Sequence, residues 1–286
     1  MKPFDYIRCE SVEAACAALD TYPGDARILA GGTDLLLELR RPGMPVPGAI
    51  VDISSVHSLR GIALLHGMVR IGPLATHAEI ARSALLRRQA EFLATAAGDI
   101  GSPQIRNRGT IGGNIMNAAA CADSVPPLVA LGARLTLRST QGDRVIGIAG
   151  FFEKPYKTFA RGNEVLTSIS FSPPPPAART AFVKLGRRNA LSIARLSVAV
   201  MLVQDQKGTI SEARIVPGAA FPVWKRVPEA ESMLLGERPS VPLFSAAGKK
   251  VSDIMVGVTG RRWSTEYKEP VLSVLVRRAL ETCCTQ

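Results

Sequence analysis

The apolar positions of this chain change period several times, and each change marks an element. Ser11 precedes SVEAACAALDTY, where Val12, Ala15, Ala18 and Leu19 recur on one face and Glu13 sits in the first turn, so a capped helix is predicted. Runs of strand composition flank it: PFDYIR, residues 27–30 and residues 49–53. GIALL and MVRIG read as paired short strands with His66 in the turn between them. From Thr76 the period is helical through THAEIARSALLRRQAEFLATAAGDI, with a break near Ser83. A further helix, DSVPPLVALGA, opens at Asp123 with its proline pair in the first turn. Residues 133–137 and RVIGI, joined by a QGD turn, return to strand, as do residues 164–171.

The proline run at residues 173–176 breaks helix and strand alike and marks the clearest boundary. Beyond it, residues 181–185 read as a strand. ALSIARLSVAVMLVQD is either a buried strand or a short helix plus strand, and another strand follows the turn at Gly208. Residues 227–235, 243–247 and 266–282 are helical candidates, the last with Arg277 and Arg278 near its C-terminal end.

Composition bounds the function. At 286 residues, 47% hydrophobic and 21% charged, the chain has room for two domains. No run approaches the roughly 18 apolar residues of a membrane span. The start, MKPFDYIRCE, carries Asp5 and Glu10 and no apolar core, which argues against a secretory signal. The five cysteines (Cys9, Cys16, Cys121, Cys283, Cys284) form no CxxC pair. A disulfide framework, a zinc site or an iron–sulfur cluster held by this chain alone is therefore not expected, and a reducing, cytoplasmic setting is. The formal charge of +11 raises nucleic acid as a partner, but the arginine pairs (Arg40-Arg41, Arg87-Arg88, Arg187-Arg188, Arg261-Arg262, Arg277-Arg278) are scattered without a stripe. A charged face for a protein subunit or an anionic cofactor explains them as well.

Two glycine pairs carry the candidate chemistry. In ILAGGTDLLLELR, Gly31 and Gly32 end a strand and lead into a helix start; free N–H groups in such a turn can cradle phosphate oxygens, with Thr33 adding a hydroxyl. Alone, it reads equally as a plain strand-to-helix turn. In RGTIGGNIMNAAACAD, Gly112 and Gly113 precede Asn114, with Arg106 and Arg108 just upstream as candidate cations and Asn114 and Asn117 three apart. Asp123 could accept bonds from sugar hydroxyls or cap a helix. Two such turns suit a ligand with two phosphates, although no GxGxxG fingerprint is present. No Ser-His-acid, Cys-His or HExxH arrangement appears. His57 and His77 stand without metal-compatible neighbours and read as surface or cap residues, and Cys121 reads as a small packed residue. Dinucleotide binding is what survives, with redox work left to a cofactor.

These two motifs, together with FVKLGRRNALSIARLSVAV, PGAAFPVWKRVPEAESMLLGE and STEYKEPVLSVLVRRAL, resemble the FAD-binding subunit of the molybdenum hydroxylases. That family includes xanthine, carbon monoxide and nicotinate dehydrogenases, and the likeness covers almost the whole chain. It implies an α+β fold: a vanillyl-alcohol-oxidase-like (PCMH-type) FAD-binding domain in two parts, residues 1–56 and 57–176, then a C-terminal domain, residues 177–286, with a small antiparallel sheet and flanking helices. It also implies that FAD is held by Leu29, Ala30, Gly31, Gly32, Thr33 and Asp34 and by Thr110, Ile111, Gly112, Gly113 and Asn114. Asp123 would lie near the ribityl and flavin part, with Leu166 and Lys184 as further contacts. By the same resemblance no catalytic residue for the organic substrate lies on this chain. A large molybdopterin subunit hydroxylates it, a small subunit with two 2Fe–2S clusters delivers electrons to FAD, and NAD+ is a candidate acceptor, in a heterotrimer. The closest match is to enzymes of purines or aromatic N-heterocycles. One departure is Glu153-Lys154-Pro155-Tyr156, where the family often has a glycine-containing loop, which puts acceptor access in question. The alternatives are a stand-alone FAD oxidoreductase of the same superfold and a scaffold subunit with a vestigial site.

Overall fold

The fold comes from a computed structural model that describes residues 4–188 and 191–285. Pro3 of the first expected strand, and Ala190 at the start of ALSIARLSVAVMLVQD, lie outside the described residues. The chain builds three layers in order.

The first contains β1 (Asp5–Arg8), α1 (Val12–Thr21), β2 (Ala26–Leu29), α2 (Leu35–Leu39) and β3 (Ala49–Asp52). The three strands form a parallel sheet in the order β1-β3-β2, with α1 as the crossover that parallel pairing requires. Ser11 caps α1 as expected, its hydroxyl accepting from the Ala14 N–H at 3.1 Å. Val12, Ala15, Cys16 and Leu19 are buried against the sheet. Every side chain of β3 is buried because it is the central strand.

The second contains β4 (Ile62–Leu65), β5 (Met68–Ile71), α3 (His77–Arg82), α4 (Ala84–Gln89), α5 (Glu91–Gly98), α6 (Pro103–Arg108), α7 (Ile111–Asn117), α8 (Val125–Ala130), β6 (Arg134–Ser139), β7 (Gly142–Gly147), β8 (Phe152–Lys154), β9 (Lys157–Thr158) and β10 (Val165–Phe171). Its main sheet is antiparallel, in the order β4-β5-β10-β6-β7. The long helical period from Thr76 breaks twice, not once. Ser83 ends α3 and caps α4, and Ala90, at φ −157°, separates α4 from α5. The helix α6 was not foreseen; Ser102 caps it and Pro103 occupies its first turn. The hairpin of β8 and β9 turns through Pro155 and Tyr156, with Tyr156 at φ +62°.

The third contains β11 (Ala178–Leu185), β12 (Leu196–Gln204), β13 (Ile210–Gly218), α9 (Pro228–Glu231), α10 (Val241–Thr259) and α11 (Thr265–Thr285). The sheet β11-β12-β13 is antiparallel, as expected for this part. The segment with two open readings is a strand. Leu196, Val198, Val200 and Leu202 of β12 join the core with α10 and α11, while Ala199 faces the core of the second layer. Burial on both faces replaces alternation by a continuous apolar run. Residues 227–235 form only the four-residue α9, whereas 243–247 belong to the much longer α10.

Candidate functional site

The two glycine turns, about eighty residues apart in sequence, abut in space. A Cβ on Gly31 would overlap the carbonyl oxygen of Arg108, and a Cβ on Gly109 would stand 3.5 Å from Thr33 Oγ1. In the second turn a Cβ on Gly112 would lie 2.7 Å from Pro73 O. Gly32 has φ +76°, where a Cβ is strained. Of the two pairs, Gly31, Gly32 and Gly112 are thus required by chain-to-chain approach or positive φ. Only Gly113 lacks such a constraint, with Thr110 Oγ1 at 3.0 Å from a Cβ as its sole close neighbour.

The backbone donors of the two turns differ. In α7, Ile111 N–H donates to Ala75 O (3.0 Å), Gly112 N–H to Pro73 O (2.8 Å) and Gly113 N–H to the Thr110 hydroxyl (3.1 Å). The expectation of free donors in this turn is corrected: they are spent in locking it to its neighbours and cap. In the first turn, the N–H groups of Gly31, Gly32, Thr33, Asp34 and Leu35 donate to no acceptor among the described residues. Such a run of unpaired donors is a cradle for anionic oxygens.

Both turns line a cleft of about 680 Å³ between the layers. Of the expected residues, Ala30, Gly31, Gly32, Thr33, Asp34, Thr110, Gly112, Gly113, Asn114, Asp123, Leu166 and Lys184 line it. Leu29 does not; its side chain packs beneath the turn, 3.1 Å from where a Gly32 Cβ would be. Ile111 does not either, being wholly buried in the core. Arg106 and Arg108 are absent from the lining, and Arg106 is occupied with Ile100 O and Gly101 O. The two expected cations are thus not in the cleft, where free backbone donors stand with Arg27, Arg161 and Lys184 in the lining. Asn114 and Asn117 both reach the cleft, and Asn114 Oδ1 accepts from the Ser124 hydroxyl at 2.7 Å.

Asp123 is not the helix cap; that position belongs to Ser124. Asp123 Oδ2 is instead 2.6 Å from Lys184 Nζ, which also donates to Asp99 O at 2.8 Å. This buried pair joins the second layer to β11 of the third. Burial pushes the Asp123 carboxyl up to about 6, and Lys184 opposes that rise. Its Oδ1 is buried with no hydrogen-bond partner. Burial, with Glu38 nearby, also raises Asp34.

Sequence reasoning placed His77 at the surface or in a cap. It does begin α3, after a Thr76–Glu79 capping box, but it is only 3% exposed and lines the cleft, with Nδ1 unpartnered. Burial, with Arg106 nearby, pushes its pKa down to about 4. The capping box was the available signal, since it fixes which side the next residue faces. Cys121 also lines the cleft, half-buried, its thiol raised by burial. At the rim stand Tyr156, Leu191 and Ile193, exposed by 70%, 53% and 75%. The departure at Glu153-Lys154-Pro155-Tyr156 thus reaches the mouth of the cleft. His57 is exposed, and no metal-compatible cluster occurs among the described residues.

A dinucleotide fits this chemistry. Free N–H groups could meet its phosphates, and the unpaired oxygen of Asp123 could accept from a hydroxyl or ring N–H. The comparisons with known proteins agree. Residues 2–174 match the model of the FAD binding domain in molybdopterin dehydrogenase, and residues 181–283 that of the CO dehydrogenase flavoprotein C-terminal domain. The alpha subunit of the 6-hydroxypseudooxynicotine dehydrogenase complex of Paenarthrobacter nicotinovorans is 32% identical, covering 98% of this chain and 95% of that one. The putative xanthine dehydrogenase FAD-binding subunit of Escherichia coli K12 is 31% identical, covering 96% and 94%. Among solved structures, a carbon monoxide dehydrogenase chain of Hydrogenophaga pseudoflava superposes with TM-score 0.92 at 30% identity, covering 100% and 99%. A chain of quinoline 2-oxidoreductase from Pseudomonas putida 86 does so with TM-score 0.91 at 25% identity, covering 100% and 99%.

Proposed function

The chain belongs to the FAD-binding medium subunits of the molybdenum hydroxylases, and from that premise we propose that it is the electron-transfer subunit of a dehydrogenase for aromatic N-heterocycles or purines. The observation that carries the assignment of the cleft is the run of five unpaired N–H groups, residues 31–35, beside Gly113 and the orphaned carboxylate oxygen of Asp123. Bound FAD would supply a store for two electrons between one-electron donors and a two-electron acceptor such as NAD+. This chain's residues bind and orient. The 31–35 turn holds pyrophosphate oxygens through neutral donors. Asp123, ionised at neutral pH and held by Lys184, offers a fixed acceptor on the cofactor's polar middle. Leu166, 4% exposed, gives an apolar wall that keeps water out. The substrate class rests on relatives named for nicotine, nicotinate, 6-hydroxypseudooxynicotine and xanthine.

The expected partners are a large molybdopterin subunit and a small subunit with two 2Fe–2S clusters, together a heterotrimer. Affinity purification of the full chain from its host, with metal analysis, tests this; both partners, molybdenum and iron should co-purify, and NADH should form with an N-heterocycle as substrate. Gly113→Val should keep the chain folded, shift stability by less than about 1 kcal/mol, and abolish flavin retention. Normal flavin content in that variant would remove the second turn from the site.

A further inference from the structure

We propose that His77 is a binding residue of the cleft, donating a hydrogen bond from Nε2 to a pyrophosphate oxygen of the dinucleotide held by the 31–35 turn. The inference rests on the assignment of the cleft to FAD.

Its geometry is fixed from three sides. The capping box sets the first turn of α3, with Thr76 N–H donating to Glu79 Oε2 at 2.6 Å and Glu79 N–H to Thr76 Oγ1 at 3.2 Å. The N–H of His77 itself donates to Gly109 O at 3.0 Å, which pins the residue to the second glycine turn. The ring then lies under the junction of the two turns. A Cβ on Gly109 would be 3.2 Å from His77 Cδ2 and 3.5 Å from Thr33 Oγ1, so imidazole and Thr33 flank the same point.

An imidazole there costs the fold something. It is 3% exposed, and neither ring nitrogen bonds to protein among the described residues; Nδ1 is buried without a partner. An apolar side chain would fill the space without stranding polar atoms. Burial and the charge of Arg106 keep the ring neutral. A neutral ring carries one proton, and a stranded N–H at Nδ1 is costlier than a stranded lone pair, so the proton sits on Nε2. That leaves one neutral N–H donor beside a turn whose own backbone donors are free among the described residues, without adding a further charge to a cleft that Asp34 and Arg161 also line.

The test uses the full chain stripped of flavin, titrated with FAD by flavin fluorescence, with thermal unfolding of the stripped protein measured alongside. His77→Leu removes the donor and is expected to weaken FAD binding about 10- to 100-fold, the range for a hydrogen bond to a charged acceptor, while the unfolding temperature of the stripped protein stays level or rises. His77→Gln keeps a side-chain N–H and is expected to recover most of the affinity. Imidazole ¹⁵N spectra of the wild type should show a protonated Nε2 before FAD is added, and a shift of that resonance on addition. Wild-type affinity in His77→Leu overturns the proposal, as does equal weakening in both variants accompanied by a lower unfolding temperature, which marks a structural role. Should His77→Leu fail to fold, the Gln variant and the ¹⁵N shift decide: a folded His77→Gln that has lost FAD, or a silent Nε2, overturns it. If wild-type chain fails to take up FAD at all, the assignment of the cleft fails instead.

Discussion

In the first glycine turn the backbone donors from Gly31 to Leu35 meet no acceptor among the described residues, whereas in the second those of Ile111, Gly112 and Gly113 are already bonded to Ala75, Pro73 and Thr110. The written motifs, AGGTD and TIGGN, look like two copies of one device. Their physical uses differ. The first lines the cleft with its donors open, as the proposed binding surface requires, and the second is a brace that presses on the first and on Pro73 while presenting Gly113, Asn114 and the arm toward Asp123. A glycine pair thus says that backbone comes close to something, and the something is as often another segment of the same chain as a ligand.

The strongest way to break this comparison is at the braces. Gly31→Val and Gly112→Val each drive a side chain into backbone, and each should cost about 4 kcal/mol or more in chemical denaturation of the flavin-free chain. Stability near wild type in either would mean that the turns do not abut. Gly113→Val, by contrast, should act on flavin alone.

Next in size is the arm that the brace carries. Because the folded carboxyl of Asp123 titrates near 6, above its ordinary 3.8, the folded chain binds more protons than the unfolded one between those values. The Asp123 contribution to the stability of the flavin-free protein should therefore fall as pH rises from about 4 to about 6, by up to about 3 kcal/mol, against a rise over the same window from His77, whose pKa burial pushes down to about 4, and Asp123→Asn should abolish the falling component alone. A stability curve with the same slope in both proteins would contradict the buried placement.

Smallest is the rim. Tyr156 holds φ +62° at the second central position of its turn, after Pro155, where glycine is the unstrained choice. Its N–H donates to Ala118 O at 2.9 Å, so the hairpin leans on the end of α7. Tyr156→Gly should stabilise the chain by about 1 kcal/mol. A loss of stability on thermal unfolding would show that the ring contributes packing which its 70% exposure does not suggest.

Local physics made much of the fold legible. The Ser11 cap, the face of α1, the hairpin around His66 and the break at Ser83 follow from side chains within a few residues of one another. The two glycine motifs, and the family resemblance that added Asp123, Leu166 and Lys184 to them, named residues most of which converge on one cleft. What escaped depended on distant segments. The short α9 and long α10 were misjudged because packing sets helix length more than propensity does. Leu29 and Ile111 belong to the motifs, yet Leu29 packs against Gly32 and Ile111 is wholly buried in the core, directions that the surrounding chain fixes.

The sequence by itself determined which residue types the site contains, because glycine, a short polar side chain and a helix start impose backbone conformations wherever they occur. Only tertiary structure decided which donors remain free, because a backbone N–H is spent or open according to whether an acceptor from elsewhere in the chain arrives within reach. Pro73 and Ala75 accept from the second turn; at the first, Arg108 O comes against Gly31, yet no acceptor among the described residues takes a hydrogen bond from the N–H groups of residues 31–35. Tertiary packing likewise moved His77 from the surface into the cleft and decided between the two readings of Asp123, and burial leaves each with an atom unpaired among the described residues.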